Sequence, residues 1–460
     1  MSTEEEQKKK FRLMTTAPVE KTVCRLAVPS IISMFISAIY NIADTVYVGK
    51  LSTQATGAVG IVFAYMAFVQ AFGFFLGQGS ANYISRALGA RDTKNAEKMA
   101  AVGFFSALFI GIAAAAAGLI AGDPILRLLG ATETILPEAR AYFRFIALGT
   151  PFIMSSFVLN NQMRLQGNAK LGMIGISVGA TLNMLLDPLL IFVFDMGVSG
   201  ASLATCISQT VSFCILLYLS GCKDGIKLRI SNFHPTLSDY IEIAAGGLPS
   251  FGRQGLASIA ATWLNRSAGV YGDSAIAAFS IVSRVTMFAM SVLLGFGQGF
   301  QPVCGFNYGA KLYDRVKKAL NFCYITAAVY CTAVAAAGFV FAPQIVSAFR
   351  ADDAELIKIG TAALRMQCIS FPLSSLTVIS NMFLQNTRRT LTATLLSLGR
   401  QGLFFFPAII IGTEFFGLRG LECTQSAADL CTFILAVIIY FAVIKKGFEK
   451  ETAVQSRLNA

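Results

Sequence analysis

Leu76-Gly77-Gln78-Gly79-Ser80 in the first half of the chain returns as Phe296-Gly297-Gln298-Gly299-Phe300 in the second. Pro29-Ser30 returns as Pro249-Ser250 and Gly89-Ala90 as Gly309-Ala310, so that 297−77 = 249−29 = 309−89 = 220. The register then holds to within one residue: Pro151 matches Pro372, Leu165-Gln166 matches Leu384-Gln385, Pro188 matches Pro407 and Gly200 matches Gly420. One unit is written twice. Repeats of this kind build transport proteins in which two halves face each other across a path.

The unit is membrane-embedded. Of 460 residues 55% are hydrophobic and 13% charged, about half the charged share of an average soluble domain. Apolar runs such as Ile31–Tyr40, Val102–Ile120, Phe322–Phe341 and Thr432–Ile444 reach, with their flanks, the ~20 residues that cross a bilayer as helix. Backbone groups in hydrocarbon must be bonded internally, which permits helices or a closed barrel. Strict period-two alternation is absent, which excludes the barrel. The reading is an all-α polytopic membrane protein with twelve spans near 27–48, 57–82, 96–121, 137–161, 170–193, 199–220, 240–268, 275–303, 315–341, 356–383, 392–413 and 419–444. These form two six-helix lobes, 27–220 and 240–444, joined by a polar linker at 221–239 and flanked by tails at 1–26 and 445–460. An even number of spans separates the copies, so they run parallel about an axis normal to the membrane, as a V with a central cavity.

The net charge of +12 is organised by topology. With alternate loops assigned to alternate sides, one side collects Lys8, Lys9, Lys10, Arg12, Arg86, Arg91, Arg164, Lys311, Arg315, Arg388, Arg389, Lys445 and others. The opposite side holds only Lys50, Arg127, Arg140, Arg266, Arg350, Lys358 and Arg419. The bias places both termini in the cytoplasm, with anionic lipid as a contact. Nucleic acid has no motif behind it. The ten cysteines form no close CxxC pair and read as small apolar core residues. His234 stands alone before Pro235 as a loop residue. No signal peptide is expected at the start of the chain.

Chemistry concentrates on a few polar residues within the spans. Asp44 lies 17 residues past Ala27, and Asp187 17 past Lys170, each ~25 Å along its helix. Two carboxylates on parallel helices thus reach one depth. Asn183 shares a helix face with Asp187, and Tyr40 and Asn41 share one with Asp44. Thr205 arrives at a similar level from the other side. Carboxylates in hydrocarbon are costly and mark function by default. The pair suits a proton or, with Asn and Thr oxygens, a small hard cation such as Na⁺ held by Asp44 and Asp187. The plain alternative is that each acid caps a broken helix near Pro188. Under the repeat Asp44, Asn183, Asp187 and Thr205 become Leu264, Gly402, Phe406 and Gln425, so the acids are equipment of one lobe. The second lobe carries Arg253, Arg284, Arg365 and Arg400 instead, with Glu422 and Asp429. Helix depths predict an Arg400–Asp429 ion pair. It is either architectural or part of a cavity that binds an anionic substrate group. Tyr65, Met66, Phe68, Met287, Phe288 and Met290 are candidates for an aromatic and Met-rich cavity wall, adaptable to varied cations.

Asp44-Thr45-Val46-Tyr47-Val48-Gly49, Gly77-Gln78-Gly79-Ser80 through Arg86-Ala87-Leu88-Gly89-Ala90, and Gln298-Gly299-Phe300-Gln301-Pro302 through Asn307-Tyr308-Gly309-Ala310 resemble the MATE (multidrug and toxic compound extrusion) family over essentially the whole chain. The last stretch and the Ala428-Asp429 helix are similar to its bacterial MepA-like branch. The resemblance implies a V-shaped twelve-helix antiporter that exchanges Na⁺ or H⁺ for drugs, often organic cations, with coupling residues at Asp44, Asn183, Asp187 and Thr205. Such a protein needs no cofactor beyond its coupling ion and is expected to act as a monomer on small-molecule substrates. One departure stands out: some branches carry an acid in the seventh span, where this chain has Arg253, Gln254 and Asn265. The nearest rival is a lipid-linked oligosaccharide flippase of related fold, kept open by the arginines. An enzyme is not expected, for lack of metal-spaced histidines or a nucleophile–base pair. A passive channel would not need two lobes of unlike charge.

Overall fold

The computed structural model describes residues 3–221, 226–350, 353–449 and 451. Lys223 and Asp224 of the predicted linker, and residues 452–460 of the predicted C-terminal tail, lie outside the described residues. Those that are described are helical, with no strand among them. The first lobe contains α1 (Thr3–Thr15), α2 (Val19–Gly49), α3 (Thr53–Gly89), α4 (Thr93–Ile120), α5 (Gly122–Leu128), α6 (Leu136–Leu165), α7 (Ala169–Pro188) and α8 (Gly197–Ser220). The second contains α9 (Leu237–Gly269), α10 (Asp273–Gly309), α11 (Tyr313–Val340), α12 (Ala342–Phe349), α13 (Ala354–Ser370), α14 (Ser374–Asn386), α15 (Thr390–Leu398), α16 (Phe405–Phe416) and α17 (Leu418–Ile439).

Eleven helical stretches among the described residues are long and apolar enough to cross a membrane. The twelfth crossing is α9, whose 33 residues are long enough; Arg253 and Gln254 at its centre make it less apolar. Local signals set the helix starts. Asp92 and Asp353 accept backbone N–H groups at the heads of α4 and α13, and Thr236 with Asp239 forms a reciprocal capping box at α9. Asp353 also accepts from Ser274, and these hydrogen bonds, Leu356 N–H foremost, hold its carboxyl below the usual carboxylate range.

The repeat extends to the elements. A spacing of 220 residues separates the starts of α3 and α10 (Thr53, Asp273), their ends (Gly89, Gly309), the starts of α4 and α11 (Thr93, Tyr313), and the short helices α5 and α12 (Gly122, Ala342). The left-handed residues Arg91 and Lys311 obey it too. The copies differ where proline meets the helix. Pro151 is accommodated within α6, whereas its counterpart Pro372 opens a 3₁₀ turn, Phe371–Leu373, that separates α13 from α14. A π-helical turn follows Pro188 in the first lobe (Leu189–Val193), and one precedes Pro407 in the second (Gly399–Leu403).

Observed helices exceed several predicted spans. Both α3 and α10 run 37 residues, ~55 Å, well beyond a ~30 Å core; Ser52 caps the start of α3, whereas α10 starts after Gly272 with no side-chain cap. The segment 1–26, expected as a tail, is helical from Thr3, and α2 already begins at Val19. Met14 is fully buried. Its carbonyl accepts from Asn307 Nδ2 (3.0 Å) and that of Ala17 from Arg315 (2.6 Å), so the chain start docks on the second lobe. Phe11 meanwhile lies under the Arg91 guanidinium of the first lobe. Tyr308 at the end of α10 donates to Glu451. Both chain ends therefore sit at one end of the bundle. Of the cysteines, Cys304, Cys323, Cys331 and Cys368 are buried within helices, as expected of small apolar core residues. Cys214 and Cys431, read as core residues, are exposed instead, because each points outward from its helix.

The lobes meet at the end that carries the termini. There α3 packs on α9, α2 on α10, and α3 on α10. The contact is backbone against backbone: a Cβ on Gly309 would lie 2.0 Å from the Arg86 carbonyl oxygen, and one on Gly89 2.2 Å from that of Phe306. This reciprocity is the pseudo-twofold axis expressed at a single seam. Around it Arg86 spans the lobes, pairing with Glu242 (3.2 Å) and donating to the Asn386 carbonyl (3.0 Å), while Arg388 grips the same Glu242. Toward the opposite end the last cross-lobe hydrogen bond among the described residues is Gln254 to Gln70 (3.2 Å). The Phe35–Phe288 ring pair also crosses the lobes near this level; further out, Tyr47 pairs with Phe192 and Trp263 with Phe406, each within its own lobe. The result is a V, closed at the end with the termini and open at the other.

Because no side chain fits at the seam, Gly309→Ala should disfavour this closed arrangement by ~1–3 kcal/mol. Thermal unfolding in detergent should shift down, and thiol labelling of a cysteine placed at Ser85 should quicken. An unaltered transition with unaltered labelling would show that the seam is not sterically set.

Candidate functional site

Four helices of the first lobe converge on one polar cluster. On α7, Asn183 and Asp187 stand one turn apart just before Pro188, and both are buried, Asp187 completely. The π turn after Pro188 breaks the regular helical ladder; Phe194 N–H reaches the Leu189 carbonyl instead. Such turns recur at functional positions. They also let α8 enter close by: a Cβ on Gly200 would press on the Leu190 carbonyl at 2.7 Å. Further along, Gly179 abuts Ser212 and Gly175 abuts Leu216. This close approach of α7 and α8 brings Thr205 against Asn183.

Asn183 links the two helices. With its amide in one sense it donates to Thr205 Oγ1 (3.3 Å). Flipped, it donates to Asp187 Oδ2 (3.1 Å) and accepts from Thr205 N–H (3.3 Å), which satisfies both neighbours. Asp44 on α2 faces the cluster and is close enough to Asp187 for the two carboxylates to interact electrostatically. Tyr40, one turn before Asp44, lies against Asp44, Asp187 and Thr205. Fully buried Tyr142 of α6 completes the wall, within reach of both acids. Asp44 Oδ1 and Asp187 Oδ1 are buried with no hydrogen-bond partner among the described residues. Two orphaned carboxylate oxygens, with Asn and Thr oxygens beside them, fit a proton or a small hard cation. A cluster of three or more His, Cys, Asp or Glu that could grip a heavier metal is absent among the described residues.

Of the predicted residues, the structure thus brings together Asp44, Asp187, Asn183, Thr205 and Tyr40. Asn41 points elsewhere, exposed and donating to the Ser37 carbonyl (2.7 Å). Two predicted wall residues must be corrected. Tyr65 turns into the first lobe, bonding Thr150 Oγ1 (3.1 Å) and packing edge-on against Phe143, because a buried phenol needs a partner. Met66 lines a small gap between α3 and α6 with Ile146 and Ile153. Met287 is exposed. Met290 is buried, its sulfur 3.6 Å from Arg400 Nη1. Tyr142 was missed: one tyrosine beside Phe143, between Arg140 and Arg144, carries no spacing signal of its own.

The second lobe has a polar centre of another kind. Arg400, held in the π turn Gly399–Leu403, donates through Nε to Asp429 Oδ1 at 2.8 Å. Gln425 donates to the same oxygen (2.9 Å), while Gln367 (3.1 Å) and Ser370 (3.3 Å) donate to Oδ2. Every lone pair of Asp429 is engaged. The positions equivalent to Asp187 and Asn183 are filled with carbon: Phe406 rests on Trp263, and Gly402 admits Leu256.

Arg164 is a further correction. Counted in the sequence among the topology-setting charges, it is 4% exposed and donates to Gln78 (2.9 Å) and Asn161 (2.5 Å). Its long side chain reaches back into the lobe interior, where those two amides offer oxygens.

Replacing one member of the satisfied pair leaves a bare buried charge, at a cost of ~3–5 kcal/mol. Asp429→Asn should therefore lower folded yield and the unfolding temperature, whereas the double change Arg400→Met with Asp429→Leu should recover most of the loss. A single variant as stable as the parent would remove the pair from the architecture.

With this geometry in hand, the relatives are informative. The MatE family profile matches residues 29–189 and 249–410, one block in each lobe. A multidrug export protein MepA from Staphylococcus saprophyticus is 28% identical over 92% of this chain and 94% of its own length. A multidrug resistance MATE family transporter of the MOP superfamily, solved in an outward-facing conformation, superposes with a TM-score of 0.88 at 26% identity, covering 97% of this chain and 99% of the other. A MOP superfamily transporter from Pyrococcus furiosus, described as having a binding pocket of reverse polarity, gives 0.85 at 26% identity over 98% and 99%. Two matched blocks, two lobes and the shared fold lead to one conclusion: this chain belongs to the MatE family of multi-pass membrane transporters.

Proposed function

We propose that this protein is a cation-coupled multidrug antiporter of the bacterial cytoplasmic membrane, with both termini in the cytoplasm. It exports organic cations and amphipathic compounds, acts as a monomer among lipids, and moves the bodies 27–220 and 240–444 against each other. The observation that carries the reading is the asymmetry of buried charge: two carboxylates with orphaned oxygens lie together in one lobe, whereas Asp429 of the other lobe is fully paired.

On this reading the closed end faces the cytoplasm and the open V faces outward. Asp44, Asp187, Asn183 and Thr205 are then approached from outside by Na⁺ or H⁺. The ion neutralises two like charges that otherwise oppose each other in a low-dielectric site. Helix α2 supplies the link, because it carries Asp44 at one end and packs at the other on α10, where Gly295 meets Ile31 and Gly299 meets Ala27. A change in the balance at Asp44 is thus felt at the seam. Inward passage of one charge supplies ~2.3 kcal/mol per 100 mV, and exchange requires that ion and drug favour different states, since equal affinity would shift nothing.

In proteoliposomes Asp44→Asn and Asp187→Asn should each reduce gradient-driven export at least ~10-fold, a loss of more than ~1.4 kcal/mol, while still binding drug. Sodium and proton gradients applied separately identify the ion. Retention of driven export by both variants would disprove the coupling site.

A further inference from the structure

Three guanidinium groups gather where the lobes meet, with one carboxylate among them. Arg253 of α9 lies within electrostatic reach of Arg164 in the first lobe and of Arg400 in the second. Arg400 is neutralised by Asp429. Arg164 has only neutral amide oxygens as partners, and its Nε, fully buried, has none. Arg253 is half-buried and has neither an ion pair nor a hydrogen bond among the described residues. Among the described residues neither Arg164 nor Arg253 forms an ion pair with a carboxylate.

The place is interior. The helix that carries Arg253 is anchored on α3 at this level: Phe251 packs on Phe72 and Phe75, and Gln254 bonds Gln70. Arg253 sits where cross-lobe hydrogen bonding ends and the V begins, between a cation of each lobe. Two unneutralised cations side by side at membrane depth oppose each other and lack solvent, and such charges line substrate pathways or pair with a partner. A guanidinium fork matches a planar oxyanion with two parallel hydrogen bonds.

We propose that Arg253, backed by Arg164, forms an anion subsite at the floor of the cleft that takes a carboxylate or similar oxyanion group of the cargo. The preferred cargo class is then zwitterionic amphiphiles: the anionic group docks on Arg253 and the cationic part lies toward the first-lobe acids. This deepens the export reading and rests on it.

The test uses a cationic xanthene dye bearing a free benzoate and, as its matched partner, the methyl ester of that dye. Binding to the purified full-length protein is followed by fluorescence anisotropy, and export is followed in proteoliposomes. The parent protein should bind the free acid about tenfold more tightly than the ester, the size of one charge-assisted hydrogen-bonded contact. Arg253→Ala should abolish that preference while leaving ester binding unchanged, and Arg253→Lys should restore part of it. Ester binding serves as the internal check on folding, and Arg253→Gln repeats the test with a more conservative change should Arg253→Ala express poorly. The subsite is overturned if the parent does not prefer the acid, or if Arg253→Ala and Arg253→Gln change both dyes together or neither. Discrimination in binding without gradient-driven export of either dye would instead sink the export reading and leave the subsite standing.

Discussion

A polar group inside a membrane has no water to fall back on. Each buried donor, acceptor or charge must find a partner in the protein or be held ready for one that arrives. That constraint sorts the polar interior of this protein into two kinds. Asp429 is fully engaged by Arg400, Gln425, Gln367 and Ser370, and such a centre holds helices in register. Asp44 and Asp187 keep orphaned oxygens, and Arg253 keeps a bare guanidinium. The satisfied group is architecture. The unsatisfied ones are the groups that the proposed coupling ion and cargo would meet.

Duplication supplied the frame in which these groups could diverge. Reciprocal glycine contacts, Gly89 on Phe306 and Gly309 on Arg86, could form only where both copies retained the same small residue at the same place. The seam is therefore symmetric while the lobe interiors are not. Where the first lobe has Asn183 and Asp187, the second has Gly402 and Phe406, filled by Leu256 and Trp263. Thr205 has Gln425 as its counterpart, and Gln425 serves Asp429 one turn further along its own helix. The polar centre of the second lobe has moved by a turn and changed from open to closed. Both centres lie beside π turns, where a broken helical ladder gives a side chain freedom to turn inward.

Much of this was legible in the residues. The constant offset, the apolar runs and the charge bias point to twelve spans in two lobes, because hydrophobic length and repetition are local properties of a chain. The acid cluster was legible too: Asp44 and Asp187 are rare residue types at matched depth, and depth along a helix is simple counting. Facing direction was not. Tyr65 and Met66 looked like cavity wall and turned inward, because rotation about a helix axis is set by neighbouring helices rather than by spacing. Arg86 and Arg164 looked like topology markers, yet a long side chain reaches several ångströms from its own backbone. Arg86 spans the seam to Glu242, and Arg164 lies in the interior.

The sequence by itself determined the membrane, the duplication, the number of crossings and which lobe holds Asp44 and Asp187, since each follows from composition and period. Only the tertiary structure decided which polar groups are satisfied and which end of the V is shut. Satisfaction depends on contacts between segments far apart in the chain, as between Arg86 and Glu242 or Gln70 and Gln254. Closure depends on two backbones meeting at glycines, an event that no single stretch of residues can specify.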